Sequence, residues 1–233
     1  MTILIMSLKI NLSWKKIVKW AAWSLLFAVA LVFFVRVAIW EDAYYREKEG
    51  SERAVAEEVE EEELDETEPA EEEIKEYTVA PDRPRYLTIE KLGINKARVL
   101  SVGVNSNGEL STPNNIFDVG WYDASGKPGE GKTMLIDGHN GGPHVYGVFK
   151  RTPELKTGDI ITIERGDGVI FKYEVVENMA VPLDESDGYM AIALKSPEAG
   201  KESLTLITCT GEWSQSQKTY LSRQFTRAIL VEE

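Results

Sequence analysis

The pattern of apolar and polar positions divides the chain into three parts. One apolar run occupies residues 20–40, with only Ser24 and Arg36 as polar exceptions. A strongly acidic stretch follows it, and from residue 86 onward short apolar runs alternate with turn residues. This order predicts a membrane-spanning helix, a connector and one folded β-rich domain.

The run at 20–40 has the length and flanks of a transmembrane helix. As an α-helix it would extend about 30 Å, which is the thickness of a bilayer core. Lysines precede it within residues 1–19, whereas acidic residues 41–42 follow it. The positive-inside rule therefore predicts a cytoplasmic N-terminus and a single-pass anchor in the cell membrane. A cleaved signal peptide is the alternative, because AVA at 28–30 resembles a cleavage site, but the apolar run continues past it.

Charge separates the connector from the folded domain. Residues 41–76 contain 18 acidic and 4 basic side chains, whereas residues 77–233 contain 21 acidic and 17 basic ones. Like charges and few apolar groups predict an acidic linker over 41–80, a stalk that is disordered or partly helical. The folded domain, predicted over 81–233, is only mildly acidic and lacks the basic face that binding to nucleic acid requires.

Seven short runs in the domain have the composition of strands. Gly- and Asp-rich turns separate them, and helical patterning is confined to two short pieces at 147–155 and 188–194. The candidate strands cover residues 86–94, 97–104, 132–138, 159–164, 169–181, 203–209 and 225–231. This spacing predicts a mostly β fold, either a mostly antiparallel barrel or a sandwich.

Few side chains can support nucleophilic chemistry here. Cys209 is the single cysteine, so it has no disulfide partner within the chain. The two histidines, His139 and His144, lie in one Gly-rich loop after a candidate strand, and Arg223 and Arg227 lie near the final strand. A cysteine hydrolase or transferase needs a thiolate, a proton carrier and a group that stabilises an oxyanion. Neither C-x-x-C nor H-E-x-x-H spacing is present, so no metal site and no cofactor are predicted.

These residues stand in a recognisable arrangement. TLITC at 205–209 follows GH at 138–139 and precedes an arginine, Arg223, near the last β run. With GELSTP at 108–113 and GVFKRTPEL at 147–155, the chain resembles the sortases, membrane-anchored cysteine transpeptidases of Gram-positive-type cell envelopes. The resemblance covers residues 86–231, and its GWY, PGEGK and GHN motifs are most similar to class F or a neighbouring class.

The resemblance implies both a fold and a reaction. The implied fold is an eight-stranded β-barrel with short helices. Cys209 would be the nucleophile, His139 the general acid or base, and Arg223 the oxyanion stabiliser. The enzyme would cleave a Leu-Pro-x-Thr-Gly-like sorting signal between Thr and Gly through a thioacyl intermediate. It would then transfer the protein to a cell-wall or lipid-linked amine without ATP or metal.

Several alternatives stay open at this stage. Thr208, Asp137 and Asn140 are predicted to support the three central residues, although ordinary strand-end hydrogen bonding would explain Asp137 and Thr208 equally well. His144 is the rival base, and Arg227 is expected to make a surface ion pair. The competing functions are a cell-wall cysteine peptidase that only hydrolyses and a non-catalytic, membrane-tethered binding domain.

Overall fold

Eight strands form a closed barrel. The computed structural model describes residues 36–37, 40–41, 64–105 and 108–232, and the barrel lies in the compact unit Glu63–Glu233. Its strands are β1 (Pro84–Ile89), β2 (Ile94–Val102), β3 (Val119–Tyr122), β4 (Thr133–Gly138), β5 (Ile160–Arg165), β6 (Ile170–Pro182), β7 (Ser203–Ser214) and β8 (Thr219–Glu232). The helices in this unit are α1 (Glu71–Glu76), α2 (Leu183–Ala193) and two 3₁₀ turns, Glu90–Leu92 and Thr152–Glu154. The predicted mostly β, eight-stranded barrel with short helices is confirmed.

The strand order places the ends of two distant strands at one rim. Around the barrel the order is β1-β2-β3-β4-β7-β8-β6-β5. Only β2–β3 and β4–β7 are parallel among these pairs, and the other pairs are antiparallel. Because β4 and β7 are parallel neighbours, residues that come late in each strand lie at the same end of the barrel.

Alternate residues of the strands fill the barrel interior. Met134 and Ile136 of β4 pack there with Leu204 and Leu206 of β7, and all four are buried. Strand side chains alternate between the two faces, so the residues between them point outward. Burial of each large apolar side chain contributes about 1.5–3 kcal/mol. A large apolar interior therefore stabilises a domain that has no disulfide.

Helix α2 covers part of the outer face of β6, β7 and β8. Val181 of β6 and Phe225 of β8 are buried against Ala193 of the helix, with Met190 of the helix and Ile207 of β7 packed against them. The hydroxyl of Thr205 donates to the Ala193 carbonyl at 2.7 Å, which fixes the helix end to β7. This second cluster forms one wall of a groove on the outside of the barrel.

The last part of the predicted linker packs against the barrel. The Tyr77 hydroxyl donates to the Val99 carbonyl of β2 at 2.6 Å, and Arg85 Nε donates to the Tyr77 carbonyl at 2.7 Å. Farther upstream, Asp65 accepts a hydrogen bond from the Asn115 amide at 2.9 Å. Chain from residue 64 onward thus belongs to the folded unit.

The predicted anchor lies almost wholly outside the described residues. Of residues 20–40, the structure describes only 36, 37 and 40. No helix among the described residues is both long and apolar enough to cross a bilayer. The boundaries of the anchor and of the stalk stay predictions.

Three local expectations were wrong. The candidate strand at 86–94 ends at Ile89, because the 3₁₀ turn Glu90–Leu92 and Gly93, with φ of 74°, separate β1 from β2, which begins at Ile94. Strand β3 was missed, since four residues are too few to show a period. Strand β7 continues past Cys209 to Ser214, so Cys209 lies within a long hairpin rather than at a strand end.

Candidate active site

Cys209, His139 and Arg223 lie on or beside three neighbouring strands. Cys209 of β7 is directly opposite Arg223 of β8. On the other side, β7 runs parallel to β4 with Asp137 beside Ile207. His139 follows Asp137 by two residues, and Cys209 follows Ile207 by two residues. The topology therefore brings the three predicted side chains to the same rim.

The site lies on the outer face of the barrel. Thr208 points into the interior and is buried, whereas Cys209 on the opposite face is partly exposed. Ile207 shares the outer face with Cys209, and Phe225 shares it with Arg223, as the two-residue period requires. The cysteine is therefore reachable from the groove beside α2.

Two cavities meet at Cys209. One, of about 650 Å³, is lined by Arg223 and by Met190 and Leu183 of α2. The other, of about 560 Å³, is lined by His139 and by the aromatic side chains Trp213 and Tyr220 of the β7–β8 hairpin. Among the residues that the structure describes, three line both cavities, namely Thr112, Asp137 and Cys209. The Cys209 thiol therefore lies between the cavity that Arg223 lines and the cavity that His139 lines.

A backbone carbonyl fixes the tautomer of His139. The ring Nε2 lies 2.7 Å from the Pro113 carbonyl oxygen, which can only accept, so Nε2 carries the proton. Nδ1 is then the nitrogen that can exchange a proton with a bound molecule. The main chain is held as well, because the Phe149 N–H donates to the His139 carbonyl at 2.9 Å.

The glycine before His139 is required by packing. A Cβ at Gly138 would lie 2.6 Å from the ring of Phe149, which is fully buried. Neither group can move without disturbing the core, so a side chain at this position would displace the strand end that carries His139.

Arg223 is oriented by its own hairpin. Its guanidinium donates from Nη1 to the carbonyls of Tyr220 at 3.0 Å and Ser222 at 3.2 Å, and from Nη2 to the Thr219 hydroxyl at 3.3 Å. Strand β8 begins at Thr219, so Arg223 lies inside it rather than at its start as the sequence suggested.

The rival residues lie elsewhere. Arg227 makes the expected ion pair, with the Glu177 carboxylate at 2.5 Å, and also donates to the Lys195 carbonyl at 2.8 Å, just past the end of α2. The arginine itself is only 5% exposed, so its expected position at the surface is wrong. It was misjudged because the helix that covers it is a tertiary feature. His144 is exposed and lines neither cavity.

A comparison with known families identifies the domain that carries these residues. A family model described as the sortase domain matches residues 87–231. The chain belongs to the sortase family. Sortases are cysteine transpeptidases, so the enzyme class that the motifs implied is confirmed. The family model specifies no subclass, and class F stays a prediction.

Solved sortases have similar folds at low sequence identity. They include sortase D5 of Clostridium perfringens, with 22% identity, TM-score 0.46 and coverage of 70% of this chain and 90% of that one. Sortase C of Streptococcus pneumoniae has 18% identity, TM-score 0.48 and coverage of 73% and 76%. Sortase A of Corynebacterium diphtheriae has 23% identity, TM-score 0.46 and coverage of 65% and 63%. A search among curated proteins found no match.

Burial dominates the electrostatics of this sortase site. Desolvation raises the pKa of the Cys209 thiol, the cationic Arg223 opposes that rise, and the Asp137 carboxylate adds to it. Desolvation likewise raises the pKa of Asp137 to about 6, although the Thr112 hydrogen bond and His139 act in the opposite direction. At neutral pH the cysteine therefore rests as a thiol, and Asp137 is mostly ionised.

The predicted supporting residues have distinct surroundings. The Thr208 hydroxyl donates to the Gly138 carbonyl at 2.7 Å and thereby links the middle of β7 to the end of β4. Asn140 is buried and lines the cavity on the His139 side. Asp137 accepts a hydrogen bond from the Thr112 hydroxyl at 2.5 Å.

Thr112 and Pro113 were missed as functional residues. They belong to the GELSTP motif, to which the sequence assigned no role, and they contact Asp137 and His139 respectively. The segment forms neither a helix nor a strand in the structure. Hydrophobic periodicity therefore could not predict that this segment lies next to Cys209 and His139. The presence of GELSTP among the motifs shared with sortases was the one feature of the sequence that pointed to it.

Proposed function

We propose that this sortase cleaves a Leu-Pro-x-Thr-Gly-like sorting signal between Thr and Gly and joins the Thr carbonyl to an amine of the cell envelope. The observation that carries the proposal is the position of Cys209 at the junction of two cavities, with Arg223 lining one and His139 lining the other. An extended peptide can thus place its scissile bond at the sulfur, with signal residues on the Arg223 side and the leaving group on the His139 side.

The first half-reaction forms a thioester. Because the thiol is neutral at rest, its proton passes to Nδ1 of His139 as the sulfur attacks the Thr carbonyl. Arg223 donates to the oxygen that becomes negative, using N–H groups beyond the three that bind the hairpin. The tetrahedral intermediate collapses, the C–N bond breaks, and His139 gives its proton to the leaving Gly amine.

The second half-reaction reverses the first with a different amine. The amine attacks the thioester, Nδ1 of His139 takes its proton, and the C–S bond breaks. His139 then returns that proton to Cys209. The net reaction exchanges one peptide bond for another, so it needs no ATP.

We further propose that the segment at 20–40 anchors the enzyme in the membrane with the barrel outside the cell. The apolar length of the segment and the lysines before it support this arrangement. Carbonate extraction and external protease treatment of cells that express the full chain test it. Release of the protein by carbonate would contradict an integral anchor.

The reaction is tested with the folded unit starting at Glu63 and a small library of sorting peptides and amines. Mass spectrometry should detect a peptide linked to Cys209 and, after an amine is added, the ligated product. Cys209→Ala should give neither species while keeping the thermal unfolding temperature of the wild type within a few degrees.

Two results would favour the alternatives. A peptide adduct at Cys209 that is only hydrolysed, even with a glycine-type amine in excess, indicates the cell-wall peptidase. Undiminished binding of sorting peptides by Cys209→Ala, with no adduct on the wild type, indicates a tethered binding domain.

A further inference from the structure

Asp137 occupies the junction of the two cavities together with Cys209. It lies on the outer face of β4, two residues before His139 and beside Ile207 of β7. Thr112 donates to one of its carboxylate oxygens at 2.5 Å, which holds the group in place. Asp137 is the only carboxylate among the described residues that line the cavity on the His139 side. Lys218 also lines this cavity, so Asp137 is the group there that can supply the counter-charge of an entering cation.

The second half-reaction requires one more proton acceptor than His139 provides. An aliphatic amine arrives as an ammonium ion at neutral pH, so it must lose one proton before it attacks and another as the amide forms. His139 can take only one of them, because Nε2 keeps its proton on the Pro113 carbonyl and Nδ1 alone is available. Proton transfer by positioned groups typically contributes about 10²- to 10⁴-fold to rate.

We propose that Asp137 binds the ammonium group of the acceptor amine and removes its first proton before the amine attacks. This inference rests on the proposed transpeptidase function. The N–H bond of the ammonium breaks and an O–H bond forms on Asp137. The neutral amine attacks the thioester, Nδ1 of His139 takes the second proton and later returns it to the Cys209 sulfur. Asp137 releases its proton to solvent, where the departed Gly amine becomes protonated.

The surroundings of Asp137 suit this role. Its pKa of about 6 leaves it ionised at neutral pH yet makes it a stronger base than an ordinary carboxylate. His139 and Arg223 are close enough to influence that pKa. Glu109 and Asp187 line only the cavity on the Arg223 side, so they do not compete for an ammonium ion next to His139.

The decisive comparison uses Asp137→Asn with two acceptors at pH 7.5. Propylamine is almost wholly protonated at this pH, whereas hydroxylamine is mostly neutral and needs no first deprotonation. Because Asp137 influences the pKa of Cys209, the variant can form the acyl-enzyme at a different rate, so each transfer is measured against hydrolysis of the same acyl-enzyme, which cancels that change. The ratio for hydroxylamine should stay within about twofold of the wild-type ratio. Transfer to propylamine, measured against hydrolysis, should fall by at least about tenfold. Asp123→Asn removes the same charge from an exposed residue outside both cavities and should change neither ratio.

Wild-type enzyme supplies a readout that does not depend on a variant folding. If ammonium is the form that binds Asp137, kcat/KM for propylamine is flat from about pH 7 to pH 9. If neutral amine is taken from solution instead, kcat/KM rises about tenfold per pH unit over that range.

The outcomes separate the two proposals. Equal losses with both acceptors, or a tenfold rise per pH unit in the wild type, overturn the assignment of Asp137 and leave the transpeptidase intact. Failure of the wild type to release a leaving peptide from any sorting signal overturns the proposed function, and the role of Asp137 with it.

Discussion

Arg223 and Arg227 share the outer face of β8 but have opposite surroundings. Arg223 is opposite Cys209 and lines a cavity, whereas Arg227 is buried beneath α2 with its charge on Glu177. Their spacing of four residues made them equivalent in the sequence, where only the family resemblance chose between them. In the structure one arginine is available to a bound peptide and the other joins a helix end to the barrel.

These two arginines should therefore separate catalysis from stability. Arg223→Ala is expected to reduce acyl-enzyme formation by about 10²- to 10³-fold, the usual cost of losing an oxyanion donor, with little change in stability. Arg227→Ala should lower the free energy of unfolding by about 1–3 kcal/mol, because it removes the hydrogen bonds to the Ile192 and Lys195 carbonyls and the packing of a buried side chain. Urea unfolding and peptide cleavage measure the two effects, and equal destabilisation by both variants would contradict the distinction.

The hydrogen bond between Thr208 and Gly138 joins the residue before Cys209 to the residue before His139. Thr208→Val keeps the side-chain shape but removes the hydroxyl from a buried carbonyl, so we expect a loss of about 1–3 kcal/mol in unfolding free energy and a lower kcat. Thr208→Ser keeps the hydroxyl and should recover much of the activity. If valine and serine behave alike, the hydrogen bond does not position the site.

How far the sequence could predict the structure depended on the length of the local signal. Strands β4 and β7 were predicted because each is a continuous apolar run, and His139 and Cys209 were named because GH and TLITC end or interrupt those runs. Strand β3 was missed, since VGWY is short and contains a glycine. No local pattern indicates that β4 and β7 are parallel neighbours, although this pairing is what brings the two residues to one rim.

The parts of the site that were missed depend on tertiary contacts. Thr112 and Pro113 lie in an irregular segment, and their contacts with Asp137 and His139 join positions 25 and 26 residues apart. The docking of residues 64–77 on the barrel was also hidden, because their composition continues that of the acidic linker. Such contacts depend on where segments meet in space, which hydrophobic periodicity does not report.

That docking predicts where a stable soluble domain must start. A protein beginning at residue 63 retains the contacts of Asp65, α1 and Tyr77, whereas one beginning at residue 78 loses several hydrogen bonds to the barrel. At about 1 kcal/mol for each, the shorter protein should be less stable by about 2–4 kcal/mol. Thermal and urea unfolding of the two proteins test this, and identical midpoints would show that the segment contributes nothing.

Alkylation of Cys209 should reveal a thiol that is neutral at rest. Because burial raises its pKa, the rate of reaction with iodoacetamide should be low at pH 7 and increase through pH 9. Arg223→Ala removes a nearby cation and should shift the profile to higher pH, whereas Asp137→Asn removes an anion and should shift it to lower pH. Glutathione, measured in parallel, gives the profile of an ordinary thiol, and a plateau below pH 7 would indicate a thiolate at rest.

Ionised Asp137 should lower the free energy of unfolding at neutral pH. Its pKa is about 6 in the folded protein and 3.8 ordinarily, so the folded state binds its proton more tightly than the unfolded state does. The contribution of Asp137 to stability is therefore fully present below about pH 4 and is lost as pH rises through about 6. Asp137→Asn keeps an acceptor for the Thr112 hydroxyl but cannot ionise. It should be more stable than the wild type by about 1–3 kcal/mol at pH 7, with the difference vanishing near pH 3.5.

Urea unfolding of both proteins across this range measures the difference. Asp123→Asn, at an exposed site, should show no such pH-dependent gain, and a constant difference between Asp137→Asn and the wild type would mean that the carboxylate of Asp137 is not desolvated.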